Sequence, residues 1–148
     1  LMKGYWNNRE ETAATLRNGW LHTGDTGYMD KDGFLFIVDR IKDLIISSGF
    51  NVYPRHVEEA IYRHPAVAAV TVIGIPDDYR GEAAKAFVEL RDGASLNLEE
   101  LNAFLKDKIA KYEMPAEFEV RNALPRTPVG KLSKKELVAE EAAKRAGR

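Results

Sequence analysis

The sequence contains no cysteine, and this absence excludes two classes of protein at the outset. A disulfide-stabilised scaffold needs paired cysteines, and thiolate metal sites need cysteine ligands. The composition is compatible with a reducing compartment, so we expect a cytoplasmic protein. The three histidines, His22, His56 and His64, follow no metal-ligand spacing. We therefore expect packing or surface roles for them and no metal site.

Long apolar runs and an excess of one charge are also absent. No stretch approaches the roughly 20 apolar residues of a membrane-spanning helix, and the first residues lack the pattern of a signal peptide. Lysine and arginine number 22 against 23 acidic residues, so no net field favours nucleic acid as a partner. The cations of the C-terminal segment, which ends at Arg148, alternate with Glu136, Glu140 and Glu141. This indicates a mixed-charge helix rather than a nucleic-acid-binding patch.

What remains is typical of a globular protein with one compact domain and part of a second, since the chain has 148 residues of which 45% are hydrophobic. It begins with leucine, and we expect a segment of a longer protein. In "GYMDKDGF" the Asp32–Gly33 pair predicts a hairpin turn, and "FLFIVD" predicts a strand buried on both faces. The first forty residues are thus predicted as β-structure and turns. Charge returns at "DRIKD", so we place a domain boundary at Asp39–Arg40.

Beyond this boundary, strand and helix patterns alternate. Pro54 suits the first turn of a helix, and Asn97 followed by Glu100 predicts a capping box at the start of another. Strands are predicted over residues 67–75, 84–90 and 117–120, and a final helix near Lys134. This order predicts an α+β fold in which helices pack on a short sheet.

Lys131 lies in the stretch "LPRTPVGKLSKKEL" (residues 124–137), whose composition predicts an unusually well-defined backbone. Pro125 and Pro128 restrict φ, and Gly130 permits a bend that other residues avoid. After the lysine, Ser133 and Glu136 match a capping box, and Leu132 and Leu137 match a hydrophobic staple. We expect the backbone at Lys131 to be held while its ammonium projects toward a phosphate or carboxylate.

The same stretch has two other interpretations. An ordinary surface lysine is the commoner case when the loop is viewed alone. A nucleotide P-loop is excluded by spacing, because Pro125 stands where the first glycine is needed and Leu132 replaces the hydroxyl residue.

Three stretches in order, "GWLHTGDTGYMDKDGFLFIVDR", "IKDLIISSGFNVYPRHVEEAI" and "LPRTPVGKLSKKEL", closely resemble the C-terminal motifs of the adenylate-forming (AMP-binding) superfamily. That superfamily contains acyl-CoA synthetases, peptide-synthetase adenylation domains and luciferases. The resemblance covers nearly the whole chain and is greatest to acyl-CoA synthetases acting on fatty or related carboxylic acids. It implies that residues 1–39 are the end of a large AMP-binding domain and residues 40–148 its mobile C-terminal domain.

The resemblance also implies nucleotide-binding roles near this boundary. Asp25 matches the aspartate that accepts hydrogen bonds from the ATP ribose hydroxyls, for which a carboxylate is well suited. Arg40 and Lys42 match residues near the ribose and phosphates, although Lys42 is almost as well explained as a solvated charge. Asp39 matches the hinge about which the small domain rotates between half-reactions.

For the chemistry, the resemblance implies that Lys131 is the lysine essential for adenylation, with Mg²⁺ on the ATP phosphates sharing the charge. Ser48 and Gly49 match the loop that lines the pantetheine tunnel of CoA, and Arg80 and Lys111 fall where relatives carry bases near the CoA nucleotide. Trp20 and Tyr28 are expected to be packing residues.

The family's phosphate-binding loop and acid pocket should lie upstream of this sequence. We therefore expect a carboxylic acid–CoA ligase, acting by way of an acyl-adenylate, of which the present chain alone is inactive. Its partners would be ATP, CoA, a carboxylic acid and its own N-terminal domain. Two alternatives remain open: an adenylation domain that loads a carrier protein, and a noncatalytic module that retained the fold.

Overall fold

A computed structural model of the chain describes residues 2–147, so Leu1 and Arg148 lie outside the described part. The chain divides into two compact units, the first ending at Lys42 and the second beginning at Asp43. The hinge at Asp39 and the boundary beside it concern motion in a complete enzyme and stay predictions.

The first unit contains one helix and two small antiparallel sheets. Helix α1 (Arg9–Thr15) leads into a short pair, β1 (Leu16–Arg17) and β2 (Trp20–Leu21), and β3 (Asp25–Met29) then pairs with β4 (Leu35–Arg40). Between β3 and β4, the Asp30 carboxylate accepts the N–H groups of Asp32 and Phe34, and Gly33 has φ +86°. The hairpin predicted at Asp32–Gly33 is confirmed.

Three expectations for this unit are wrong. Helix α1 was not predicted, although Asn8 accepts the N–H of Glu11 in the N-cap geometry that this spacing favours. The strand predicted to be buried on both faces is largely exposed: β4 pairs only with β3, and Phe34, Leu35, Phe36 and Ile37 are 43–66% exposed. Trp20 is exposed as well, whereas Tyr28 does pack, with its ring 5.1 Å from that of Phe36.

The second unit is an α+β domain built on a five-stranded sheet. Its strands are β5 (Ile45–Ser47), β6 (Phe50–Val52), β7 (Val67–Asp77), β8 (Gly81–Leu90) and β9 (Glu117–Val120). The order is β6-β5-β8-β7, and β9 joins β8 in parallel. The helices are α2 (Pro54–Tyr62), α3 (Leu98–Leu105) and α4 (Lys134–Ala146), and Lys111–Glu113 form a short 3-10 helix. At 13 residues α4 is the longest helix in the described part of the chain, and none there could cross a membrane.

Helices cover both faces of this sheet because β8 sends alternate side chains to opposite sides. Ala84, Ala86 and Val88 join one apolar cluster with residues of α2 and α3, including Ile61 and Leu101. Ala83 and Phe87 join a second cluster with Leu124 and with Leu137 of α4. The result is a three-layer arrangement in which most of the domain core is packed against β8 and β7.

Several local predictions for this unit are confirmed. Pro54 occupies the first turn of α2, and β9 has the predicted bounds. Asn97 and Glu100 form a complete capping box at the start of α3. Strands β7 and β8 extend further than predicted, because the turn chemistry between them is confined to residues near Tyr79.

A buried lysine connects β8, β9 and α4. The Lys85 ammonium lies 3.0–3.2 Å from the carboxylates of Glu117, Glu119 and Glu141, and its side chain is only 8% exposed. Burial opposes the charged form, but the hydrogen bonds to these carboxylates outweigh it and raise the pKa of Lys85. Arg121, Lys144 and Arg145 surround this centre and form further ion pairs with neighbouring glutamates.

Strand β7 lies at an edge of the sheet, where side chains occupy part of its backbone. The Glu58 carboxylate accepts the N–H of Val72 at 2.9 Å, and the same oxygen lies 2.9 Å from the ammonium of Lys134. Arg145 donates to the carbonyl of Pro76 at 3.0 Å. Glu58 thus links α2 to this edge and to the beginning of α4.

Candidate active site

Arg40 and Lys42 line one cleft of the first unit, and Asp25 lies beside Arg40. Asp25 stands opposite Arg40 in the β3–β4 register, and the arginine Nε lies 3.5 Å from the carboxylate. The cleft is lined by Thr23, Gly24, Arg40, Ile41 and Lys42. The carboxylate of Asp25 can accept hydrogen bonds from hydroxyl groups, and the two cations of the cleft can bind a phosphate. The arrangement is therefore suited to a nucleotide.

Asp39 is buried at the end of β4. It is 8% exposed, and its carboxylate accepts the N–H of Arg40 at 2.8 Å. Its carbonyl accepts the hydroxyl of Thr26 beside a register shift in the β3–β4 pair. The residue therefore combines a firmly held side chain with an irregular point in the strand.

Lys131 is carried by a small hairpin that projects between Leu124 and α4. Arg126 and Leu132 form an antiparallel bridge, and the N–H of Thr127 donates to the carbonyl of Lys131 at 2.7 Å. Within the loop Gly130 donates to the carbonyl of Thr127 and has φ +82°. Pro128 then occupies the turn position that its ring favours, and Gly130 the left-handed one.

The side chain of Lys131 is exposed, whereas its backbone N–H donates to the Thr127 hydroxyl at 3.2 Å. Among residues 2–147 no carboxylate pairs with its ammonium. A held backbone and an unengaged cation agree with the sequence-based expectation.

The capping box predicted at Ser133 is wrong. Ser133 does precede α4, but within the described residues its side chain makes no capping hydrogen bond. Its backbone N–H instead donates to the carbonyl of Pro125 at 2.8 Å, so the residue extends the hairpin that carries Lys131. The apolar staple is consistent with the structure, because Leu132 packs against the cluster that contains Leu137.

Ser48 and Gly49 form a two-residue turn between β5 and β6. Their φ angles are +52° and +81°, and positive φ at both positions is typical of a tight two-residue hairpin turn. A Cβ added at Gly49 would meet nothing within 4 Å in the chain itself. Arg80 lies beside this turn, since its carbonyl accepts the N–H of Ser48 at 2.8 Å.

The turn that contains Arg80 is organised by Asp77. Its carboxylate accepts the N–H groups of Arg80 and Tyr79 at 2.8 and 3.0 Å, and these bonds lower the pKa of Asp77. The predicted residues Ser48, Gly49 and Arg80 are therefore brought together by two adjoining turns.

Lys111 lies on the 3-10 helix next to Tyr112, and Tyr112 stacks on Phe50 with ring centroids 4.6 Å apart. Phe50 directly follows Gly49, so this stack joins the segment of Lys111 to the Ser48–Gly49 turn. Both rings are partly exposed. The sequence reasoning missed the pair, because the spacing of Phe50 and Tyr112 gives no sign that they meet.

The Ser48–Gly49 turn and the hairpin that carries Lys131 lie at opposite ends of β8. Ser47, at the base of the Ser48–Gly49 turn, pairs with Gly81 at the start of the strand. Arg126, at the base of the Lys131 hairpin, forms an ion pair with Glu89 near its end. From 81 to 89 the strand rises about 26 Å, at about 3.3 Å a residue. One rigid domain thus carries two separate polar regions.

Comparison with known proteins identifies relatives of this chain. Residues 56–131 match the family model described as the AMP-binding enzyme C-terminal domain. A long-chain-fatty-acid–CoA ligase of Bacillus subtilis is 55% identical over 95% of this chain, which spans 25% of that protein. A fatty acid–acyl-carrier-protein ligase of Streptomyces coeruleorubidus is 44% identical over 92% of this chain and 26% of its own length.

A solved structure has the same fold. The o-succinylbenzoate CoA synthetase of Bacillus subtilis, in complex with its acyl-adenylate intermediate, superposes with a TM-score of 0.87. It is 42% identical over 93% of this chain and 28% of the solved chain. The present sequence thus spans about a quarter of the length of the relatives that it matches.

Proposed function

Because the chain belongs to the family of AMP-binding enzyme C-terminal domains, we propose that it is the C-terminal part of an ATP-dependent carboxylic acid–CoA ligase. The observation that carries this proposal is the separation of two regions along β8, with the exposed Lys131 at one end and the Ser48–Gly49 turn at the other. A two-step reaction needs different groups at different times, and a domain that rotates about Asp39 would present one end and then the other.

In the first step, a carboxylate attacks the α-phosphorus of ATP, which enters as its magnesium complex, and pyrophosphate leaves. Negative oxygens are brought together, and the ammonium of Lys131 would offset their repulsion where they meet. Its hairpin is suited to this role because the backbone is held by hydrogen bonds while the side chain is unengaged. Asp25, with Arg40 and Lys42, would bind the ribose and phosphates.

In the second step, the thiol of CoA attacks the carbonyl of the acyl-adenylate, a thioester forms and AMP leaves. The backbone at Gly49 would lie along the pantetheine arm, since the absent side chain leaves open space there. Arg80 and Lys111 would bind the phosphates of the CoA nucleotide.

Substitution of Lys131 by Ala in the full-length protein tests this division. We expect acyl-adenylate formation, followed as pyrophosphate release, to fall by on the order of 10²-fold or more. Thioester formation from supplied acyl-adenylate should stay at the wild-type rate. Equal loss of both steps, or loss of neither, would contradict the proposal.

We also propose a fatty acid as the substrate, supported by the similarity to the Bacillus subtilis ligase. Turnover by the full-length protein with fatty acids of several chain lengths and with o-succinylbenzoate would distinguish the acid classes. The present chain alone should form no acyl-CoA from ATP, CoA and fatty acid, and robust turnover by it would refute this part of the proposal.

A carrier protein is the second candidate acceptor of the acyl group. A relative that is 44% identical to this chain is named as a fatty acid–acyl-carrier-protein ligase. The phosphopantetheine arm of a carrier has the same thiol chemistry as CoA. Rates with free CoA and with a loaded carrier protein, measured on one preparation, would decide between them. A noncatalytic module would form no adenylate at all.

A further inference from the structure

The hairpin that carries Lys131 is attached to the sheet through Arg126. The guanidinium Nη2 lies 3.1 Å from the carboxylate of Glu89 on β8, and Nη1 lies 3.4 Å from the carbonyl oxygen of Gly130. Glu89 is well placed to hold it, since its side chain is only 17% exposed. The planar guanidinium of Arg126 therefore contacts both the sheet and Gly130, the residue that immediately precedes Lys131.

The other hydrogen bonds of the hairpin define its internal shape. The bonds between Thr127 and Lys131 and between Gly130 and Thr127 would be kept if the whole loop tilted as a unit. The contact between Arg126 and Glu89 differs because it fixes the loop relative to a strand 37 positions away in sequence. On the other side of Lys131, the ion pair of Lys134 with Glu58 holds the start of α4.

We propose that Arg126, held by Glu89, is a positioning residue that aims the ammonium of Lys131. The proposal rests on the proposed function and adds a requirement to it. A cation that acts on a phosphoryl group works only within hydrogen-bond distance, and a displacement of about 1 Å can cost about 10²-fold in rate. Arg126 itself touches no reacting atom in this scheme.

A plain surface ion pair is the competing explanation. Such pairs contribute little to stability, and their removal leaves activity unchanged. The two explanations differ in one respect that can be measured: positioning affects adenylation selectively, whereas a surface pair affects neither half-reaction.

The experiment uses full-length protein with Arg126→Ala, Glu89→Gln, Arg126→Lys and the charge exchange Arg126→Glu with Glu89→Arg. Arg55→Ala is the matched control, because Arg55 also pairs with a glutamate, Glu59, at 3.3 Å but lies on α2. Three quantities are measured for each: pyrophosphate release, thioester formation from supplied acyl-adenylate, and the melting temperature. Wild-type protein and Lys131→Ala are measured in parallel.

We expect Arg126→Ala and Glu89→Gln to slow adenylation by about tenfold or more while thioester formation and the melting temperature stay near the wild-type values. The adenylation rate of Arg126→Lys should lie between those of wild type and Arg126→Ala, because lysine keeps the charge but lacks the planar guanidinium. The charge exchange should recover part of the loss, and Arg55→Ala should match wild type.

Adenylation by Arg126→Ala at the rate of Arg55→Ala, with Lys131→Ala inactive, would overturn the positioning role and leave the proposed function standing. Equal slowing of both half-reactions, or no recovery on charge exchange, would also overturn it. Wild-type protein that forms no adenylate, or Lys131→Ala at full activity, would overturn the proposed function and this inference with it.

Discussion

The imidazole Nδ1 of His56 lies 2.9 Å from the carboxylate of Glu113, whose side chain is only 8% exposed. The other oxygen of Glu113 accepts the N–H of Ala110 at 2.7 Å. The buried carboxylate therefore connects the first turn of α2 to the 3-10 helix that carries Lys111 and Tyr112. This contact holds the segment from one side, and the stack of Tyr112 on Phe50 holds it from another.

Replacing Glu113 by Ala should loosen the segment, because both carboxylate oxygens that contact His56 and Ala110 are removed. A buried polar group left without its partner costs about 1–3 kcal/mol, so we expect KM for CoA to rise by about tenfold. Adenylation should be unchanged. Steady-state kinetics of the full-length protein measure both, with the exposed Glu59→Ala as control. Equal KM values for the two variants would contradict the prediction.

Gly49 is the site of a second test, which separates a requirement of the turn from a requirement of the ligand. Asparagine tolerates positive φ, so Gly49→Asn should preserve the turn and nearly preserve the melting temperature. Its side chain would occupy the space proposed for pantetheine and raise KM for CoA. Gly33→Asn is the matched control, at φ +86° and also in open space. An unchanged KM in Gly49→Asn would show that the glycine serves only the turn.

The buried cluster around Lys85 predicts a pH dependence of stability. Burial opposes ionisation of Glu141 and Glu119, but hydrogen bonds and the charges of Lys85 and Lys144 outweigh it and lower both pKa values. Their stabilising contribution is therefore present above pH 4.5, the ordinary pKa of glutamate, and is lost as the pH falls through the lower folded values. The raised pKa of Lys85 has the opposite sense, so its contribution is present below pH 10.5 and is lost at higher pH.

Chemical denaturation across this pH range measures the effect, and Lys85→Met is the variant to compare. We expect a loss of about 3 kcal/mol at neutral pH, since the buried Glu141 and its partly exposed neighbours Glu117 and Glu119 would remain without their central cation. In Lys85→Met the free energy of unfolding should fall less steeply as the pH is lowered, because protonation of those carboxylates would then relieve their mutual repulsion. A variant with wild-type stability and a wild-type acid decline would rule out the cluster as the cause.

The two helix starts of the second unit make a paired prediction. Asn97→Ala should destabilise the protein by about 1 kcal/mol, because it removes a side chain that accepts the N–H of Glu100 at 2.9 Å. Ser133→Ala should cost less than about 0.5 kcal/mol, since the backbone contact of Ser133 is kept and no side-chain cap is lost. Denaturant titrations of both variants provide the measurement, and a larger effect at Ser133 would contradict the structure.

These two helices also show where sequence reasoning succeeds. The capping box at Asn97 depends on residues three apart, so the pattern contains all the necessary information. At Ser133 the same pattern is present, but Pro125 takes its backbone N–H into the hairpin and α4 begins without the side-chain cap. Contacts from outside the local window decide the outcome.

Burial was harder to predict than element type. The apolar run from Phe34 to Ile37 was correctly identified as a strand, yet it is exposed because only β3 pairs with it. Lys85 is the converse case: a lysine within a strand pattern suggests a solvated position, but carboxylates from β9 and α4 surround it. Such partners are distant in the chain and cannot be inferred from periodicity.

For the candidate site, the resemblance supplied individual residues and the structure supplied their relationships. It implied Lys131, whereas the contact of Arg126 with Glu89 emerges only when the hairpin is seen against β8. It implied Gly49 and Lys111 separately, and the ring stack of Phe50 on Tyr112 connects their segments. Motifs identify side chains, but support from other elements follows from tertiary packing.

The side chains along the outer edge of β7 have a consequence for behaviour at high concentration. A bare edge strand is a template on which a strand of another molecule can add, the first event in the growth of fibrils. Here the carboxylate of Glu58 accepts the N–H of Val72, and Arg145 donates to the carbonyl of Pro76. Pro76 itself has no backbone N–H to donate. A strand from another molecule would have to displace two charged side chains and would still form an incomplete set of backbone hydrogen bonds. This edge therefore resists polymerisation.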